Sequence, residues 1–489
     1  MRRNRWTLVW FAVLAGYAAW LGSRFSPEPG GADASGDLNS AKFLAEGRLV
    51  SQLHMAPVLK DEWSQDFQPL GFEAIRHTTR LVPGYPVGLP LHLAAASSVF
   101  GWRWSSQIVG IGGALAAVGM CYRLARELGL TPLAAFATGA ALALCAVFEF
   151  TSMQPLSDTL ATFWCTTAVW LALRARRGAV GWSALGGVAF AVAVLVRPSN
   201  VLLLPVLVML LPDGRKLTVA ACAALPFAIA LGLYQNHLYG SPLRSGYGDV
   251  SGLFSTAYFW PTMRHFTVWV SRLVPLGMVG LLISPLLLRG PRRREVAALL
   301  LWAAVFIVFY AVYDFSRQDW TFLRFIEPAF PALLVLGGLG LDQIAARLAV
   351  AGWPRAAGWI AIGIVGLTLA TNVTFKIPDA RKHDRMYAEA RTWVRDNLPA
   401  DAPVVCMQFS GVAYFDDGHP ILRWDIVGAT AAEGAKYLTA LHRAGQPVFA
   451  VLDAAELADP RMKKLPGKWD KLADFGSASA WKITPAGNQ

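Results

Sequence analysis

Apolar residues in this chain fall in long runs, without the alternation of half-buried strands. The runs cover residues 6–22, 105–122, 132–150, 159–173, 180–196, 201–211, 217–234, 266–288, 296–312, 328–346 and 358–374. A helix needs roughly 17–25 apolar residues to cross a bilayer. The pattern therefore predicts a polytopic α-helical membrane protein with about eleven transmembrane helices, 201–211 being the shortest. A further apolar run, 83–101, carries Pro83, Pro86 and Pro90. Interior proline removes a helical hydrogen bond, so this run reads as an interfacial or re-entrant helix. From Lys376 the pattern changes to an amphipathic helix, a turn and a buried strand. "ATAAEGAKYLTALHRAG" then reads as a further helix and "GQPVFAVLD" as another buried strand. Residues 1–375 thus form a transmembrane domain with an outer loop at 23–104, and 376–489 a soluble α/β domain.

Composition agrees with this reading. Only 16% of residues are charged and 55% are hydrophobic, whereas soluble domains are about one quarter charged. The formal charge of +12 is not gathered on a surface that nucleic acid would need, and no nucleic-acid partner is expected. Its arginines sit in alternate gaps instead: Arg2, Arg3 and Arg5, then Arg123 and Arg126, Arg174 to Arg177, Arg215, Arg289 to Arg294, and Arg347 with Arg355. The positive-inside rule reads these gaps as cytoplasmic. A spanning 83–101 run would invert every later cluster. The N-terminus is then cytoplasmic, and the opening loop and the C-terminal domain lie outside a plasma (bacterial inner) membrane. The N-terminal run lacks a small-x-small cleavage site and reads as a retained helix. Four of five cysteines fall in apolar runs, with neither a disulfide framework nor zinc spacing.

On the outer side the unusual residues collect. The first loop brings Asp33, Ser35, Asp37 and "PGYP" with Tyr85; the next outer gap brings Asp158. Further on lie Asn236, His237, Arg244, Tyr247 and Asp249, then Asp314, Arg317, Trp320, Arg324 and Glu327. An arginine at the mouth of a helix is costly unless it pairs with an anion or snorkels. Guanidinium forks suit a phosphate and stabilise charge developing on a leaving group, and a nearby carboxylate can take the proton of an attacking hydroxyl. Acid plus arginine at one membrane face describes sugar transfer from a polyprenyl-phosphate donor.

Several runs together resemble the GT-C glycosyltransferases, in particular the protein O-mannosyltransferase and lipid A aminoarabinose transferase group. They are "ADASGDLNSAKFLAEG", the "PGYP" helix, "SDTLATF", "VRPSNVLLLP", "NHLYGSPLRSGYG" and "LRFIEPAFPALLVL". The resemblance covers residues 1–375, with 376–489 like the appended outer domain of many bacterial members. It implies a GT-C fold and an inverting hexosyl- or pentosyltransferase acting on a lipid, glycan or protein hydroxyl. It makes Asp33 the first-loop catalytic acid and general base, and Asp158 the second acidic position, orienting the acceptor or a divalent cation. Arg324 would hold the donor phosphate, and Tyr85, Asn236 and Tyr247 would line the cavity. A divalent cation is the one cofactor left open, with Asp33 and Asp158 as its ligands if one binds. The aminoarabinose transferases carry an "EKPP" pattern where this chain has "LVPGYP" with Arg80 nearby, which argues against aminoarabinose as the sugar.

Plainer roles compete. Asp37 suits a helix cap, with Gly47 ending that helix; Asp33 suits the same cap, and Asp158 an N-cap of its own. Arg197, before Pro198, suits a partner for a carbonyl or an acid, and His237 and His265 suit structural positions. The rival function is a transporter or flippase of lipid-linked sugars. Transporters place polar or helix-breaking residues at mid-membrane and show repeats, whereas this chain keeps its charges at the outer ends.

Overall fold

The computed structural model describes residues 2–485 except 63, 76, 77, 376, 378 and 428–430. The domain boundary expected at Lys376 lies outside the described residues. In chain order, α1 (Arg2–Arg24) and α2 (Gly31–Ala45) precede three short strands, β1 (Ser51–Gln52), β2 (Phe72–Ala74) and β3 (Arg80–Pro83). Then follow α3 (Gly88–Phe100), α4 (Trp102–Glu127), α5 (Pro132–Ala143), α6 (Ala146–Ser152), α7 (Asp158–Arg177) and α8 (Gly181–Val196). After these come α9 (Leu204–Leu210), α10 (Gly214–Tyr239), α11 (Phe259–Leu273), α12 (Pro275–Leu287), α13 (Arg293–Ala311), α14 (Phe330–Val350) and α15 (Ala356–Phe375). The C-terminal part adds β4 (Val404–Val405), β5 (Ile421–Leu422), β6 (Val448–Asp453), β7 (Lys468–Phe475) and β8 (Ala478–Thr484) among further helices.

These elements form two compact units. The first comprises Met1–Phe25, Gln107–Tyr234 and Asp249–Ala380; the second comprises Ser26–Ser106, Gln235–Gly248 and Arg381–Gln489.

Among the described residues, five helices are long and apolar enough to cross a membrane, or seven if each of two bent pairs is one span. The bends mark where the structure departs from uninterrupted apolar runs. Residues 266–288 were expected as one helix, but α11 and α12 meet at 111°. Val274 has φ −128 and ψ 53 before Pro275. A residue preceding proline is pushed out of the helical region, and proline brings no N–H to continue the ladder. Thr262, Phe266, Val270 and Leu273 give α11 one buried face, while Trp260, Arg264 and Arg272 are exposed. Such a helix suits the plane of an interface better than its hydrocarbon core. Likewise the run 132–150 is broken into α5 and α6, bent by 60°, and nothing in its sequence marks the break. The run 201–211 starts inside a 3-10 segment, Pro198–Leu203, and continues as α9.

Within the first unit, glycines set the distance between α12 and α14. A Cβ on Gly280 would lie 2.4 Å from the Gly337 nitrogen, and one on Gly337 would lie 2.1 Å from the Leu276 carbonyl. Small residues let helix backbones approach where apolar burial gives little driving force.

The second unit is α/β. Strands β1, β3 and β2 form an antiparallel three-stranded sheet, and a five-stranded sheet runs in the order β5-β4-β6-β8-β7. Strand β4 is parallel to β5 and β6, whereas β8 is antiparallel to β6 and β7. One core joins the early and late stretches of the chain: Phe43, Met55, Phe67 and Phe72 pack with Tyr387, Phe409, Trp424 and Val451. Polar ties do the same. Lys42 pairs with Asp416 at 3.0 Å, Tyr437 donates to Asp66 at 2.7 Å, and the Leu70 N–H donates to Ser410 Oγ at 2.9 Å.

Candidate active site

In the first unit, Asp158 opens α7 and is only 1% exposed. Burying an unpaired carboxylate is prohibitive, and two arginines answer it. Arg197 Nη1 lies 2.9 Å from Asp158 Oδ1, and Arg324 Nη1 lies 3.9 Å from Oδ2. Arg197 sits where α8 ends, in extended backbone before Pro198. Its Nε also donates to Ser157 Oγ at 3.1 Å, and its Nη1 reaches the Arg324 carbonyl at 3.5 Å. It thus partners both an acid and a carbonyl, the role its sequence position suggested. The longer contact belongs to Arg324, whose guanidinium also lies 5.5 Å from the Phe325 ring centre. The ring of Tyr310 stacks on Phe325 at 5.3 Å, and its hydroxyl donates to Ser199 Oγ at 2.8 Å. Arg324 is carried on a 3-10 segment, Trp320–Ala329.

Arg317 does not join this group. It is exposed, pairs with Asp314 at 2.6 Å and lies over the Tyr258 ring at 4.4 Å. Three acids that sequence reasoning gave no role are buried in this unit: Glu327, fully, Glu149 on α6, at 4%, and Glu295 on α13, which Arg176 meets at 2.8 Å. The signal for Glu327 was its spacing of three from Arg324 inside an otherwise apolar segment. Glu149 stood in an apolar run with no such companion.

Asp33, Tyr85, Asn236 and Tyr247 all belong to the second unit. Asp33 lies in the first turn of α2, and its Oδ1 accepts a hydrogen bond of 2.5 Å from the Tyr85 hydroxyl. Burial first, and then the Asp33 charge, push the Tyr85 phenol well above its ordinary value. Tyr85 therefore stays a donor at neutral pH. Its ring meets Tyr247 edge-on, with centres 5.8 Å apart. Tyr247 is exposed, as is Asn236 in the last turn of α10. No contact brings Asn236 to Asp33 or Tyr85 among the described residues.

Glycines make room for Tyr85. A Cβ on Gly36 would sit 2.4 Å from the Tyr85 ring, and a Cβ on Gly71 would sit 2.4 Å from Gly36 Cα. Gly246 is pressed as closely against the Pro83 carbonyl, to which Tyr239 also donates at 2.7 Å. Asp37 is not a cap. Helix α2 starts at Gly31 with Gly30 as N-cap, so Asp37 falls inside it, 3% exposed. The far end follows expectation, with Gly47 at φ +69 just past the helix.

A divalent cation finds poor accommodation at Asp158, whose carboxylate is already matched by two guanidinium groups. Among the described residues no three His, Cys, Asp or Glu side chains are grouped as ligands.

No family model and no curated protein matches the chain by sequence. Solved structures do match by fold. ArnT from Cupriavidus metallidurans bound to undecaprenyl phosphate aligns at TM-score 0.59 and 16% identity, covering 99% of this chain and 100% of that one. The Archaeoglobus fulgidus oligosaccharyltransferase aligns at 0.60 and 14%, covering 99% of this chain and 75% of that one. The arabinofuranosyltransferase AftD from Mycobacteria aligns at 0.57 and 16%, covering 98% of this chain and 40% of that one. This chain has the fold of the GT-C membrane glycosyltransferases.

Proposed function

We propose that the protein is an inverting glycosyltransferase using a polyprenyl-phosphate sugar, at the outer face of a plasma membrane. The observation that carries this reading is the buried Asp158 carboxylate met by Arg197 at 2.9 Å and Arg324 at 3.9 Å. Two guanidinium groups gathered at one buried acid make a basic site suited to an anion. In this reading Arg324 takes the donor phosphate as a bidentate fork, with Arg197 beside it on Asp158 and Ser157. The likeness to a structure bound to undecaprenyl phosphate supports a lipid-linked phosphate over a free one.

In the reaction, an acceptor hydroxyl attacks the anomeric carbon from the face opposite the phosphate. The anomeric C–O bond breaks with its electron pair passing to the phosphate, whose added charge Arg324 stabilises. The hydroxyl proton passes to the carboxylate of Asp33, which Tyr85 orients. The acceptor is a lipid, glycan or protein hydroxyl. About eleven spans, a cytoplasmic N-terminus and an extracytoplasmic segment from residue 376 complete the proposal. Comparing the glycolipids and glycans of a deletion strain with those of its parent tests it. A missing sugar restored by the wild-type chain but not by Asp33→Asn is expected; restoration by Asp33→Asn would remove Asp33 as the base.

A further inference from the structure

One turn beyond Arg324 lies an acid that the proposed reaction does not use. Glu327 is 0% exposed and shares the 3-10 segment Trp320–Ala329 with Arg324. Positions i and i+3 eclipse in a 3-10 helix, so the two side chains are successive members of one edge. Runs of that geometry beyond about 3–4 residues are uncommon because the hydrogen bonds are poor, yet this one has 10. Contacts from outside must hold it.

The Glu327 side chain supplies two of them, beside the Arg197 contact to the Arg324 carbonyl. Thr151 Oγ1 on α6 donates to Oε2 at 2.8 Å, and Thr162 Oγ1 on α7 donates to Oε1 at 3.2 Å. Each threonine has an acceptor at home: Thr151 Oγ1 is 3.1 Å from the Val147 and Phe148 carbonyls, and Thr162 Oγ1 is 3.0 Å from the Asp158 carbonyl. A hydroxyl has a single proton, so a bond to Glu327 is made at the expense of the threonine's own helix. Thr162 stands one turn after Asp158. The same carboxylate therefore ties the Arg324 segment to the turn that presents Asp158. As a stabiliser it is a poor choice, because burying an acid has a cost that two hydroxyl bonds only partly offset, and an apolar side chain of similar volume is often no worse.

We propose that Glu327 is a positioning residue for Arg324. It sets the 3-10 segment against α6 and α7 so that the guanidinium is held beside Asp158 and ready for a phosphate. The inference rests on the reading that Arg324 takes the donor phosphate.

The test is binding of undecaprenyl phosphate to the full chain in lipid nanodiscs. Arg324→Ala and Glu327→Leu are each expected to weaken binding about tenfold or more, and the double variant to bind no more weakly than Arg324→Ala alone. Glu327→Gln keeps the length, accepts from one threonine and donates to the other, and is expected to bind within about threefold of wild type. If Glu327→Leu does not fold, Thr151→Val with Thr162→Val removes the same two bonds and is expected to lose the same affinity. Unchanged affinity in folded Glu327→Leu or in the threonine double variant, with Arg324→Ala weakened, overturns the positioning role and leaves the phosphate reading standing. Wild-type affinity in Arg324→Ala overturns the phosphate reading, and the positioning role falls with it.

Discussion

The Tyr85 hydroxyl and the Asp33 carboxylate form the shortest link between two of the proposed site residues, at 2.5 Å. A hydrogen bond to a charged group is worth about 1.5–3 kcal/mol, which corresponds to roughly 10–100-fold in rate if it acts on the transition state. Tyr85→Phe keeps the ring against Gly36 and Tyr247, so kcat is expected to fall by at least about tenfold while the donor KM holds; steady-state kinetics separate the two. Glu456 offers a contrasting case of an acid with only a structural task. Its Oε1 accepts from the Met407 and Gln408 N–H groups and from Trp424 Nε1, and its Oε2 accepts from the Asp453 N–H in a capping box. Glu456→Gln must set an amide donor against one of those donors, and thermal unfolding should show a loss of about 1–3 kcal/mol. At this scale the sequence was most informative where a charged residue stood at the outer end of an apolar run. Asp158, Arg197 and Arg324 stood out for that reason. Glu327 stood out equally, but its task depends on two threonines more than 160 positions away, which no local pattern reveals.

Elements follow apolar pattern until backbone chemistry intervenes. The helices at 159–173, 180–196 and 296–312 were legible because no proline interrupts them. The run 266–288 was equally apolar, and one proline decided its geometry: α11 turns away from α12 at Val274. The break between α5 and α6 has no such marker and was not legible. Helix α2 began six residues before the Asp37 cap that its composition suggested. The hairpin of β7 and β8 was missed because β7 mixes Lys468, Asp470, Lys471 and Asp474 into its length, which hides the alternation that marks a strand. Gly71 shows the opposite limit, a single residue that shapes its surroundings. At φ +85, with Gly36 Cα 2.4 Å from where its Cβ would be, Gly71→Ala should destabilise the second unit by about 2 kcal/mol or more. Differential scanning of the purified chain measures this, and an unchanged midpoint would mean that the α2 contact yields.

For the whole molecule, alternating arginine clusters gave a direction to the chain, and labelling can read it. Ala400 is exposed, and Ala400→Cys, with Cys222 replaced by serine, should react with an impermeant maleimide on intact cells. Reaction only after permeabilisation would reverse the proposed orientation. Segment-by-segment reading separates the opening loop from the C-terminal stretch; the structure gives both to one unit with one core. That division has a consequence in time. Strand β3 ends at Pro83 and β4 begins at Val404, so more than 300 residues are synthesised between two parts of a single core. At roughly 5–20 residues per second, Phe43, Phe67 and Phe72 wait on the order of 20–80 seconds for Trp424 and Val451. Throughout that interval the half-built unit lacks the partners of those rings, so its survival depends on how fast the ribosome finishes as well as on how stable the finished fold is.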